Sequence, residues 1–152
     1  MKESPFYQQA RNNMAPGIIC SNGMLGSDRR PLAEIIEADA AALKRLKVSC
    51  AIIASTMTEF LTAGNKGLGE FITFRDHFEV RVNSVRGFLR CPFGERGMIR
   101  KENVTVRNLL LDREISFSAL SIHLIAEHGF FQGRGAPFRL EPADVDRILE
   151  IR

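Results

Sequence analysis

Apolar residues recur every three or four positions in two early stretches of the chain, which is the spacing of helices that each bury one face. The first stretch, residues 31–47, begins with proline and carries its acids early and its bases late, so that its charges complement the helix dipole. The second stretch, residues 50–63, is followed by Gly64, which we expect to end it. The pattern therefore predicts an N-terminal pair of helices joined by a tight corner.

Residues 115–133 are rich in apolar side chains, and within them residues 118–128 predict a central helix that is covered on most sides. The hydroxyl of Ser116 or Ser118 can cap the start of this helix, and Gly129 can take the left-handed conformation that closes the last turn. A further helical pattern after Pro142 predicts a C-terminal helix.

After Gly69 the period changes from helical to alternating, which is typical of strands with one buried face. Short connections rich in turn residues separate these segments and favour antiparallel pairing. The predicted strands cover residues 70–75, 78–83, 87–91, 104–108 and 115–117. The sequence therefore predicts an α+β fold in which an antiparallel sheet of about four or five strands packs against the helices.

The chain has 152 residues, of which 45% are hydrophobic and 26% charged, and this composition is typical of a single globular domain. We therefore expect residues 1–152 to fold as one unit. Residues 1–16 are polar and contain two prolines, so they predict an extended N-terminal arm. Such an arm could pack across a two-fold axis, which leaves a homo-oligomer as an open alternative.

Several features bear on where the protein acts. No run of residues approaches the 18 or more apolar positions of a membrane span, so no membrane association is expected. The first residues lack the apolar segment of a signal peptide. Cys20, Cys50 and Cys91 lie far apart and are odd in number, which favours free thiols over a disulfide framework. Together these features predict a cytoplasmic protein.

The net charge of +3 is unevenly distributed, because residues 81–113 carry eight basic residues against three acidic ones. From this segment we select Arg81, Arg90 and Arg107 as a basic face of the sheet. That face predicts a non-enzymatic binding domain whose partner is an anionic small molecule or an acidic protein, with nucleic acid as an alternative. Exposed aromatic residues hardly interleave with the arginines, which disfavours base stacking with RNA.

A second candidate anion site lies at the start of the first predicted helix. A loop rich in turn residues precedes Arg29 and Arg30 there, and free N–H groups at a helix start can bind an anion. Asp39 falls in the middle of the apolar stripe of the same helix when positions are counted in steps of about 100°. Its carboxylate either pairs with an arginine, which is the simpler interpretation, or lines a ligand pocket.

No cofactor is predicted by a complete motif, but Cys91, His123 and His128 are candidate ligands of zinc, with a fourth position empty or filled by an acid. The two histidines stand five positions apart, which places their rings roughly 140° apart around a helix axis. They could meet on a metal only if the last turn unwinds at Gly129. An enzyme that uses Cys91 and a histidine as a nucleophile-base pair is a variant of this alternative. Otherwise His128 interacts with the negative end of the helix, and His123 pairs with Glu127.

A further alternative is a helix-turn-helix over residues 39–61, whose second helix would enter the major groove of DNA. That helix, CAIIASTMTEFL, contains neither arginine nor lysine, and the phosphates would repel Glu59. Two packed helices joined by a tight corner explain the same apolar spacing.

Overall fold

The structure is a computed structural model that describes residues 3–151, and within them it contains five helices and four strands. The helices are α1 Pro5–Asn13, α2 Leu32–Leu46, α3 Cys50–Asn65, α4 Ala119–His128 and α5 Pro142–Ile148. The strands are β1 Ile72–Phe74, β2 Phe78–Leu89, β3 Ile99–Asn108 and β4 Arg113–Ser118. They form one antiparallel sheet in the order β1-β2-β3-β4. The predicted α+β fold is confirmed.

One face of the sheet carries the main hydrophobic core. The antiparallel register brings Val80 opposite Val106, and Val104 opposite Phe117, so that these buried side chains point to the same side. Helices α3 and α4 pack on this side, as the alternation of buried and exposed positions along the strands requires.

Strand β2 is longer than predicted, because it joins the segments that we expected to be two strands, 78–83 and 87–91. Ser84 pairs with Glu102 and Phe88 with Arg100, so three residues of β2 lie opposite one residue of β3. A bulge of this kind breaks the alternation without ending the strand. The end of β2 and the start of β3 therefore continue as a hairpin beyond the main core.

Helix α3 continues past Gly64, where we expected it to end. Gly64 is buried in the helix, and a Cβ built on it would lie 2.6 Å from Val82 Cγ2 and 3.0 Å from Val80 Cγ2. The glycine therefore serves close packing of helix on sheet and does not terminate the helix.

Helices α2 and α3 meet at a sharp corner and are bent by 87° relative to each other. Ile53, Met57 and Phe60 of α3 are buried in the main core. DNA binding through residues 39–61 stays an untested prediction. Within residues 3–151, no single helix has both the length and the apolar character needed to cross a membrane, although α2 and α3 taken together meet those criteria by length and composition.

The N-terminal arm was predicted wrongly, because most of residues 1–16 form the helix α1. Ser4 caps this helix by accepting a hydrogen bond from the Tyr7 N–H at 3.2 Å, and Pro5 occupies its first turn. Ala10 and Met14 are then buried. The prolines suggested an irregular arm, but a proline directly after a serine is also a helix-start signal.

Residues from α1, the loop before α2, α2, α4 and the connection between β2 and β3 form a second, smaller core. Its buried members are Ala10, Met14, Met24, Leu32, Ile35, Cys91, Phe93, Leu120, Leu124 and Phe130. This core brings the β2–β3 connection against α4.

Candidate metal centre

The loop between β2 and β3 carries two side chains of the candidate centre. Cys91, Pro92 and Phe93 enter the smaller core and are buried. The Gly94 N–H then donates to the Cys91 carbonyl at 3.1 Å, and Gly94 has φ +91°, which only glycine adopts without strain. This turn brings Glu95 back beside Cys91, with 4.0 Å between Cys91 Sγ and Glu95 Oε1.

Helix α4 supplies the other two side chains. Ser118 starts this helix with a capping box, in which its hydroxyl and the hydroxyl of Ser121 each accept from the other residue's N–H at 3.1 Å. Gly129 ends the helix at φ +60°. The predicted cap and terminator are thus confirmed, and they fix His123 and His128 within a helix whose last residue is His128.

The four side chains converge on one point. One potential ligand atom from each of Cys91, Glu95, His123 and His128 lies within 4.8 Å of all the others. His123 Nε2 is 3.0 Å from Glu95 Oε2, and His128 Nε2 contacts Glu95 Oε1. Cys91 Sγ lies 3.5 Å from His128 Nε2. In a tetrahedral zinc site the ligand atoms are roughly 3.3–3.6 Å apart, so small side-chain movements would enclose an ion.

One nitrogen of the cluster is buried without a hydrogen bond. Within residues 3–151, His123 Nε2 has no hydrogen-bond partner and is shielded from solvent, although Glu95 Oε2 lies at ion-pair distance. Glu95 Oε2, at 3.0 Å, is therefore an electrostatic neighbour of this nitrogen but not its hydrogen-bond acceptor. A buried polar atom without a partner is costly, and a metal ion in the cluster would satisfy it.

The cluster runs from a buried thiol to an exposed carboxylate. Cys91 is 4% exposed, the side chains of His128 and His123 are 17% and 25% exposed, and that of Glu95 is 39% exposed. Burial raises the pKa of the Cys91 thiol, and backbone N–H groups of residues 93–95 offset this only in part, while the Glu95 carboxylate adds to the rise. The thiol therefore keeps its proton at neutral pH.

From the spacing of five positions we expected His123 and His128 to meet only if the last turn of the helix unwound at Gly129, but α4 extends through His128. The His123 and His128 ring centroids are 5.7 Å apart, although both residues belong to α4. The imidazole rings of both histidines contact the carboxylate of Glu95, which lies outside the helix. Glu95 itself was not selected from the sequence; its spacing of four residues from Cys91 across a glycine turn is the signal that could have identified it.

The candidate anion site before α2 is filled by side chains of the protein itself. Arg30 pairs with Asp28, with Nη2 to Oδ2 at 2.7 Å. The free N–H of Leu32 donates to Glu3 Oε1 at 2.6 Å. Arg29 is exposed. The helix start thus already holds a carboxylate in the place where an external anion was expected.

Asp39 is buried and paired, as the simpler of the two interpretations predicts. Arg139 donates to it through Nη1 at 2.6 Å and Nη2 at 2.8 Å, and the same Nη1 donates to the Gln132 carbonyl at 2.9 Å. Burial lowers the pKa of Arg139, but the bonds to Asp39 and Glu141 outweigh it and raise the pKa above its ordinary value. Asp39 therefore anchors the loop after α4 to α2.

The three selected sheet arginines do not lie together. Arg81 and Arg107 both stack on the ring of Phe71, at 4.6 Å and 3.9 Å from its centroid. Arg107 also lies 3.0 Å from Glu114 and 3.8 Å from Glu79. Arg90 follows the other end of β2, about 23 Å along the sheet from Arg81, because the bulge between Ser84 and Phe88 shortens the strand.

The chain matches no known protein-family model, and comparison with curated proteins and with solved structures finds no significant match.

Proposed function

We propose that this protein binds one divalent transition metal ion through Cys91, Glu95, His123 and His128, and that the metal fastens the β2–β3 loop to helix α4. The convergence of four ligand atoms within 4.8 Å carries this proposal. One thiolate, two imidazoles and one carboxylate form a donor set that suits Zn²⁺ in tetrahedral geometry.

A structural role is favoured over a catalytic one. Catalytic zinc sites usually have three protein ligands and an open position, whereas this cluster offers four protein ligands. The ligands come from a loop and a helix that are far apart in the sequence, so a bound ion links them as a disulfide would. The free energy of metal binding would then stabilise the fold directly.

The alternative of a Cys91–His128 nucleophile-base pair is less well supported. Cys91 Sγ and His128 Nε2 lie 3.5 Å apart, a distance that suits proton transfer. However, burial raises the pKa of the Cys91 thiol, whereas a nucleophilic cysteine needs a lowered pKa. A metal ligand tolerates a raised pKa because the metal itself displaces the proton.

The other expectations from the sequence stay proposals. A cytoplasmic location agrees with Cys20, Cys50 and Cys91, which are free thiols in the structure. An anionic partner at Arg81 and Arg107 has less support, because Glu79 and Glu114 lie beside Arg107. Self-association through α1 or α5 also stays a proposal, and a measurement of molecular mass in solution tests it.

The test is a zinc titration of the full chain, purified without chelator, against a chromogenic competitor. We expect one Zn²⁺ per chain, with an affinity at least about tenfold lower in Glu95→Gln and far lower in His128→Ala. The matched control is Glu127→Gln, which removes an exposed carboxylate next to His128 and should leave the affinity unchanged. A wild-type chain that binds no metal, or a Glu95→Gln variant that binds like the control, would refute the proposed site.

A further inference from the structure

The whole net charge of the protein is concentrated in one hairpin. Residues 84–102, here called the basic hairpin, carry five basic and two acidic residues, a net charge of +3, which equals that of the entire chain. The basic members are Arg86, Arg90, Arg96, Arg100 and Lys101. The remaining 133 residues are therefore neutral as a group.

The positive charges of the basic hairpin are not neutralised locally. Within residues 3–151, none of its five basic side chains forms an ion pair. Its two acids are engaged with the helices instead. Glu102 accepts from Asn65 Nδ2 of α3 at 3.1 Å, and Glu95 faces the two histidines of α4. The arginines thus face solvent without counter-charges.

The structure exposes apolar side chains between these charges, including one aromatic ring, whereas the sequence led us to expect hardly any exposed aromatic residue among the arginines. Phe88 is 54% exposed, and it stands between Arg86 and Arg90 in the sequence and opposite Arg100 across the strand pair. Val85 and Met98, at 60% and 58%, are exposed in the same hairpin. Leu89 and Ile99, the next pair along the strands, are partly buried against the smaller core. Phe88 and Arg100 therefore share the face that points away from the core.

We propose that the basic hairpin binds single-stranded nucleic acid, with its arginines on the phosphates and the ring of Phe88 as a platform for one base. Proteins that bind single strands without strong sequence preference combine a positive surface with exposed aromatic rings. Four of the five cations are arginines, whose planar guanidinium groups bind phosphate in pairs of hydrogen bonds and stack on bases.

An anionic membrane is a weaker match for the same charges. A hairpin that inserts into a lipid surface needs an apolar tip, but the tip of this hairpin is Gly94-Glu95-Arg96-Gly97, and Glu95 is held against α4. The exposed apolar residues lie along the sides of the hairpin, where a strand of nucleic acid could run.

The experiment is a fluorescence anisotropy titration of the full chain with labelled mixed-sequence single strands, one of RNA and one of DNA, over a series of KCl concentrations. We expect binding to at least one of them with a steep salt dependence. In the double variant Arg86→Gln/Arg100→Gln, affinity should fall at least about tenfold, and the log-log salt slope should fall by about 1.4, which corresponds to two lost phosphate contacts. The matched control is Lys44→Gln/Arg45→Gln, which removes two exposed charges from α2 and should change affinity less than about twofold.

A second variant separates stacking from charge. Phe88→Leu keeps an apolar side chain but removes the ring, so affinity should fall about tenfold with an unchanged salt slope. Thermal unfolding of each variant should match that of the wild type, because the changed side chains are exposed. Absence of binding to both strands would overturn the proposal. Equal losses in the hairpin and α2 variants would also overturn it, as would binding to phosphatidylserine vesicles without binding to either strand.

Discussion

The ring of Phe93 stacks on the imidazole of His128, with centroids 4.1 Å apart and planes inclined by 19°. Phe93 is itself held edge-to-face by Phe130 at 5.9 Å and by Tyr7 at 6.4 Å. The Asn13 side chain donates to the Pro92 carbonyl at 2.9 Å, which ties the same loop to the end of α1. The smaller core therefore sets the orientation of a candidate metal ligand.

Replacing this stacked ring should weaken metal binding without removing a ligand. In Phe93→Leu the imidazole of His128 loses its flat support, and we expect zinc affinity to fall about tenfold, the effect of losing an outer-shell partner. Competition titration measures the affinity, and chemical denaturation of the metal-free chain measures the accompanying loss of packing. A purely structural role for Phe93 would lower metal-free stability while leaving zinc affinity unchanged.

Loss of the buried Asp39–Arg139 ion pair should lower the free energy of unfolding more than loss of an exposed ion pair. Asp39→Asn leaves the buried guanidinium of Arg139 with a weaker partner, and we expect the free energy of unfolding to fall by about 3 kcal/mol. The exposed pair Arg75–Glu59 is the control, since Glu59→Gln should cost less than about 1 kcal/mol. The double variant Asp39→Leu/Arg139→Met should recover most of the loss. Equal effects of Asp39→Asn and Glu59→Gln in urea denaturation would contradict this account.

Glu3 gives the stability of the α1–α2 junction a defined pH dependence. The hydrogen bonds from Arg11, partly offset by burial, and the bond from the Leu32 N–H hold the pKa of Glu3 below its ordinary value of 4.5. Because the folded pKa lies below the unfolded one, this contribution is fully present above about pH 4.5 and is lost as pH falls through the folded pKa. Glu3→Gln should therefore cost roughly 1–3 kcal/mol at neutral pH and progressively less in acid. The exposed Glu37→Gln variant should show no such trend; a cost for Glu3→Gln that does not change with pH would disprove the linkage.

The substitution Gly64→Ala should have two opposite effects on stability, one from helix propensity and one from close packing. Alanine in a helix gains about 1 kcal/mol over glycine. The added Cβ, however, would lie 2.6 Å from Val82 Cγ2, and a β-branched side chain cannot move aside easily. We expect net destabilisation of about 1–2 kcal/mol, recovered in the double variant Gly64→Ala/Val82→Ala. A rise in Tm for the single variant would show that α3 has room to shift.

The elements with strong local signals could be predicted from the sequence. The caps Ser118 and Gly129 define α4 as expected, and α2 matches the predicted charge order and apolar stripe. The errors came where tertiary contacts override a local signal. Gly64 was predicted to end α3, but the glycine is required there by the close contact of the helix with the sheet. Strand β2 continues through a bulge, which has no simple periodic pattern in the sequence.

The candidate metal site was only partly predictable for a related reason. Cys91, His123 and His128 could be selected from the sequence by residue type. Their convergence, however, depends on the β2–β3 loop, which also positions Glu95. The Gly94 turn and the burial of Phe93 set the path of that loop. The angular argument about the two histidines treated them as rigid positions on a helix surface. It did not consider that a ligand outside the helix, here Glu95, can lie between the side chains of His123 and His128.

The most direct test of the metal centre is X-ray absorption at the zinc edge on the zinc-loaded full chain, with Cys91→Ser measured alongside. We predict one sulfur at about 2.3 Å and three nitrogen or oxygen neighbours at about 2.0–2.1 Å, with multiple scattering from two imidazoles. The sulfur shell should disappear in the variant. A wild-type spectrum without sulfur, or one that Cys91→Ser leaves unchanged, would contradict the assignment of Cys91, Glu95, His123 and His128 as a metal centre.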